Sequence, residues 1–138
     1  MDNAGQMQRM FELVNKGDVN GFIDNLADDF VEHEAAPGLP PTKEGTRQLF
    51  ETFMAAFPNL RFDPEDMIES GDKVVARIRV TGTQKGDFFG VPPSGKSINV
   101  QGIDIVRFGD GLAREHWGVM DTMLIMQQLG AIPQGPPA

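Results

Sequence analysis

The chain has 138 residues, enough for one sizeable core and too few for two independent ones. Twenty acidic against twelve basic residues give a net charge of −8, which argues against nucleic acid and anionic membrane as partners, since phosphate contacts need a basic footprint. The absence of cysteine excludes disulfides, thiol catalysis and zinc–thiolate sites, and no run approaches the ~20 apolar residues that cross a bilayer.

Along the chain, Met7, Met10, Phe11 and Val14 recur at helical spacing and predict a helix over residues 6–15. Gly17 suits its end, and Asp18 can cap a second helix carrying Val19, Phe22, Ile23 and Leu26. Residues 30–33 read as a short strand, followed by the Pro- and Gly-rich stretch 36–41. A third helix is predicted over 43–56, with Leu49, Phe50, Phe53, Met54 and Phe57 on one stripe and Pro58 as its stop.

The period then changes. Residues 60–68 and 73–83 read as strands joined at Ser70-Gly71-Asp72, and Val74, Ala76, Ile78 and Val80 alternate along the second. A turn-rich connection over 86–95 leads to strands at 97–108 and 112–119, joined through Gly109-Asp110-Gly111, a strong hairpin signal. Asp121 can cap a last helix bearing Leu124, Ile125 and Leu129. Residues 1–130 therefore read as one domain and 131–138 as a loose Pro/Gly tail. Helices followed by a meander of antiparallel strands imply an α+β fold. A curved sheet forms a cone-shaped half-barrel with N-terminal helices packed over it and a short C-terminal helix. The natural place for chemistry is the pocket inside that cone.

Few residues could carry chemistry there. No GxGxxG or GxxxxGK[ST] loop supports nucleotide binding, and two histidines without HxH or HxxxH spacing make a poor metal site, so no cofactor is expected. His116 and Asp121 flank the end of the last predicted strand, where a bend can bring both to one cavity mouth. Asp121 has an equally plain reading as a helix cap, and His116 as filler of a sheet face. Asp104 lies in the apolar run Gly102-Ile103-Asp104-Ile105-Val106, and a buried carboxylate needs a partner or a raised pKa. Arg77 or Arg79 could supply a structural ion pair instead. His33 sits between Glu32 and Glu34, acids read here as part of a solvated rim. Phe11, Phe50, Phe53, Met54, Trp117 and Met120 are candidates to line the pocket against a small, flat, apolar polycyclic ligand.

Gly102-Ile103-Asp104-Ile105, Asp110-Gly111-Leu112, Glu115-His116-Trp117-Gly118-Val119-Met120-Asp121 and Gln128-Leu129-Gly130 together resemble the SnoaL-like polyketide cyclases. Asp28-Asp29-Phe30-Val31-Glu32-His33, Ala56-Phe57-Pro58-Asn59-Leu60 and Gly90-Val91-Pro92-Pro93-Ser94-Gly95-Lys96 extend the likeness over nearly the whole chain. The resemblance implies the cone-shaped fold of nuclear-transport-factor-like proteins and ketosteroid isomerase. It also implies cofactor-free closure of an aromatic polyketide ester by intramolecular aldol addition, with an aspartate as general acid/base. Asp121 matches that aspartate, His116 and His33 match histidines near the pocket, and Asp104 matches a strand position used for proton transfer or hydrogen bonding. Homodimerisation through the open sheet face is implied as well. The chain departs from many proteins of this fold in having no tyrosine, so no phenol can hydrogen-bond an oxyanion or position water. This favours cyclase over isomerase or epoxide hydrolase; a non-catalytic binding domain for a small apolar ligand, or a hydroxylase- or hydrolase-like relative, remain as alternative readings. The N-terminus, MDNAGQMQRM, lacks the charged-then-apolar layout of a signal peptide, which is the pattern expected of a cytoplasmic protein.

Overall fold

The computed structural model describes residues 2–133, so most of the predicted loose tail lies outside the described residues. Helix α1 (Asn3–Asn15) starts at Asp2, whose carboxylate accepts from the Gly5 amide, and presents Met7, Met10, Phe11 and Val14 to the core. Asp18 caps the five-residue α2 (Val19–Ile23) by accepting from Gly21. Strand β1 (Leu26–Glu32) follows directly. Helix α3 (Lys43–Ala56) begins at Thr42, whose hydroxyl accepts from Gly45, and ends against Pro58. Gly45 is required by space, because a Cβ there would lie 1.9 Å from the Pro40 carbonyl oxygen. That close approach pins the loop between β1 and α3, and the Glu32 amide donates to the Pro41 carbonyl from the other side.

Strands β2 (Arg61–Ser70), β3 (Lys73–Thr83), β4 (Ser97–Gly109) and β5 (Leu112–Met120) form an antiparallel meander, and α4 (Thr122–Gln128) closes the fold. The sheet order is β1-β5-β4-β3-β2. It is curved and unclosed, and it is mixed, because β1 pairs with β5 in parallel. An all-antiparallel sheet was the expectation from sequence; alternation specifies which face a strand buries but carries no information about its direction.

The inner face of the sheet is apolar, with Val74, Ala76, Ile78 and Val80 of β3 and Ile98, Val100, Val106 and Phe108 of β4 all buried. Helices α1, α2 and α3 lie over that face, and a cluster of Phe rings joins them to it. Phe53 packs edge-on to Phe88 at 5.1 Å between ring centres and Phe50 tilts against Phe62 at 5.7 Å. Gln84, fully buried, ties down the connection between β3 and β4. Its amide donates to the Gly86 and Val91 carbonyls, and its oxygen accepts from the Ser94 amide and hydroxyl. Phe88 is thereby held under α3. Among the described residues no helix is long and apolar enough to cross a membrane.

One irregularity decides what enters the interior. Arg107 pairs with Glu115 but Phe108 pairs with Ala113, so β5 carries an extra residue, Arg114. Ala113 is buried, and strict alternation from it would point Glu115 and Trp117 inward. The bulge reverses the phase beyond it, and His116 and Met120 face the interior instead.

Candidate active site

Between the helices and the inner sheet face lies a cavity of about 130 Å³. Its walls are almost wholly apolar. Met7, Met10 and Phe11 of α1 and Phe22 of α2 form one side, Leu49, Phe50 and Phe53 of α3 another, and Phe62, Val106 and Met120 part of the sheet floor. Four polar residues interrupt this surface: Glu32, Thr46, Asp104 and His116.

Three of the four form one hydrogen-bonded line across three strands. His116 Nδ1 on β5 lies 2.7 and 2.5 Å from the carboxylate oxygens of Glu32 on β1. Its Nε2 lies 2.7 Å from Asp104 Oδ1 on β4. Burial by itself would lower the His116 pKa, but hydrogen bonds from the ring to Asp104 and Glu32, and the charges of both, outweigh it and raise the value to about 10. At neutral pH the ring is therefore an imidazolium whose two N–H groups are both engaged. It is neither a base nor a free donor. Asp104 differs, because Oδ1 is held by His116 while Oδ2 makes no hydrogen bond among the described residues. A carboxylate that lines an apolar cavity with one oxygen fixed and the other unpaired can exchange a proton with a bound molecule. Thr46 donates its hydroxyl proton to the Thr42 carbonyl, so its oxygen is left as an acceptor.

The residues singled out from sequence separate into four places. Asp104, His116, Phe11, Phe50, Phe53 and Met120 surround the cavity. Asp121 is exposed outside it, capping α4 with Oδ1 3.1 Å from the Leu124 amide, and it is not brought together with His116. His33 and Trp117 are on the opposite sheet face, with rings stacked 4.6 Å apart and 2° from parallel. There His33 Nε2 lies 3.0 Å from Glu115, which also pairs with Arg107. Met54 borders a separate cleft beside Lys16 and Pro58. Arg77 and Arg79, considered as partners for Asp104, pair instead with Asp66 and Glu65.

Glu32, expected from the sequence on a solvated rim, is only 7% exposed. The signal was present two residues earlier, since Phe30 and Glu32 share a face of β1 while Val31 between them points outward. Thr46 lies one turn before Phe50 on the stripe of α3 and could have been found in the same way. Because Asn caps a helix about as well as Asp, Asp121→Asn is expected to leave stability within about 0.5 kcal/mol, read as an unchanged urea midpoint.

Residues 5–129 match the family model described as SnoaL-like polyketide cyclase. The chain belongs to the SnoaL-like polyketide cyclase family. Solved structures agree. TsrD from Streptomyces laurentii is 31% identical over 96% of this chain and 99% of its own, with a TM-score of 0.83. A candidate polyketide cyclase from Bacillus cereus is also 31% identical, over 91% of this chain and 78% of its own, at 0.78. AclR from Streptomyces galilaeus, a candidate hydroxylase, is 29% identical over 94% and 82%, at 0.84. No curated protein matches the chain. Membership of the SnoaL-like family and the cyclase neighbours support a cyclase-type function.

Proposed function

We propose that this SnoaL-like protein closes a ring in a flat, largely apolar keto ester by intramolecular aldol addition, with Asp104 as general acid/base. The observation that carries the reading is the Glu32–His116–Asp104 line in the wall of a cavity that is otherwise apolar but for Thr46. Asp104 Oδ2 takes a proton from a carbon flanked by two carbonyl groups. The resulting enolate carbon attacks the ketone carbon of the same molecule, one C–C bond forms, and the new alkoxide takes the proton back from Asp104. Atoms and charge balance without a co-reactant. The enolate is stabilised chiefly by delocalisation into the substrate, which suits a cavity whose imidazolium and hydroxyl protons are already engaged. His116 fixes the orientation of the carboxylate, and Glu32 fixes His116.

The cavity volume limits how the substrate sits. An apolar cavity of about 150 Å³ holds a single benzene ring. The closing ring of a polycyclic substrate therefore enters, and the remaining rings stay outside the cavity. The test is turnover of an anthraquinone methyl ester bearing a ketone side chain, followed by loss of the open-chain ketone. Saturable binding of that compound without turnover would instead favour a ligand-binding domain. Likeness to AclR gives a hydroxylase-type reaction as a further reading, detectable in the presence of dioxygen and a reductant as a product one oxygen atom heavier than the probe, where aldol closure leaves the mass unchanged.

Pairing of two copies through the outer sheet face belongs to the same proposal. Val31, Ile68, Ile103 and Val119 are all exposed on that face, and Arg77, Arg79 and Arg107 alternate there with Glu65, Asp66 and Glu115. Light scattering is expected to give twice the 15.1 kDa chain mass, falling to one chain mass for Ile103→Lys/Val119→Lys. A wild-type mass of one chain would overturn the pairing.

A further inference from the structure

Gly118 sits in the interior of β5, directly across the ladder from Asp104 and two residues beyond His116. Its φ is not positive, so its backbone conformation is open to any residue. Glycine in a strand interior weakens the strand and packs nothing. The reason for it here is space. A Cβ built at 118 would lie 2.7 Å from Asp104 Oδ1, 2.7 Å from His116 Cε1 and 2.8 Å from His116 Nε2. Those are the two side chains that meet at 2.7 Å, and both ends of their hydrogen bond lie closer to a single added methyl carbon than van der Waals contact allows.

We infer that Gly118 is a positioning residue, whose missing side chain is what allows Asp104 and His116 to join. The inference rests on the reading of Asp104 as the proton-carrying group and extends it to a residue that touches no substrate. The atoms a methyl group would meet are side-chain ends. They can swing aside with little cost to the backbone, but not without parting from each other. A substitution at 118 thus disconnects the pair and leaves the fold standing. Alanine, which any strand accepts, is sufficient to do it. The charged groups facing His116 are Glu32 from β1 and Asp104 from β4, so losing one leaves a ring held from one side only.

The test is ring-nitrogen NMR of the two histidines against pH, with His33 on the outer face as an internal reference. Gly118→Ala is expected to lower the His116 midpoint by about one unit or more, with His33 unmoved, as expected when an opposite charge is withdrawn. Asp104→Asn should lower it likewise, and adding Gly118→Ala to Asp104→Asn should lower it no further. With the keto-ester probe, Gly118→Ala should reduce kcat with little change in KM. An unshifted His116 in Gly118→Ala, beside a shifted one in Asp104→Asn, overturns the role of Gly118 and leaves the Asp104–His116 pair intact. No shift in either variant overturns the pairing itself, and the functional reading with it. The urea midpoint of Gly118→Ala checks that the fold stands, and a variant that fails to fold also overturns the inference.

Discussion

His116→Ala is expected to destabilise the protein by about 3–5 kcal/mol, the cost of removing one partner from a buried charged cluster. The variant leaves Glu32 and Asp104 at the cavity end without the cation that lies between them, and Glu32 is too deeply buried to be rescued by water. The wild-type cluster also has a pH signature. The folded pKa of His116, about 10, stands above the ordinary 6.5, so its contribution is fully present below pH 6.5 and lost as pH rises through 10. At about 1.4 kcal/mol per unit, the span from 6.5 to 10 is worth up to about 5 kcal/mol. The measurement is urea midpoints of wild type and His116→Ala between pH 6 and 10.5. The gap between the two should narrow steadily from pH 6.5 and be nearly lost by pH 10. A gap independent of pH would show that the imidazole is held as a neutral packing group.

Much of the architecture was legible in the sequence because local signals and tertiary packing agree there. Helix α3 has its Thr42 cap, its apolar stripe and Pro58 in order, and it spans the predicted 43–56. Strand β3 alternates buried and more exposed side chains without interruption and spans the predicted 73–83. The hairpin at Gly109-Asp110-Gly111 also lies where expected, with Asp110 and Gly111 both at positive φ. What was not legible depends on strand register and direction. Whether His116 or Trp117 enters the interior is decided by one extra residue at Arg114, and nothing about an arginine between Ala113 and Glu115 marks a bulge. Glu32 reaches His116 only because β1 lies beside β5, 84 residues away in sequence, and runs parallel to it. A line of three ionisable groups assembled across three strands is set by such pairings, so its members read individually as a rim acid, a strand histidine and an isolated buried carboxylate.

The two aspartates that sequence offered as the working carboxylate are separated by the structure into opposite environments, and their variants should separate as sharply. Asp104→Asn is expected to lower turnover of the keto-ester probe by about 10²–10⁴-fold, the usual worth of general acid–base catalysis, with binding retained because the amide has nearly the same shape. Asp121→Asn is expected to keep wild-type turnover, since its carboxylate accepts from the Leu124 amide and lies outside the cavity. Glu32→Gln should fall between them: the amide oxygen can still accept from His116 Nδ1, but one of the charges that holds the imidazolium is gone. Steady-state kinetics on the four proteins read all of this from one substrate. The reverse order, with Asp121→Asn inactive and Asp104→Asn near wild type, would move the base to the α4 cap. It would also require the mouth of the cavity to extend past Met120, the lining residue nearest Asp121 in the chain. Equal loss in both would fit neither assignment and would point to a substrate long enough to bridge them.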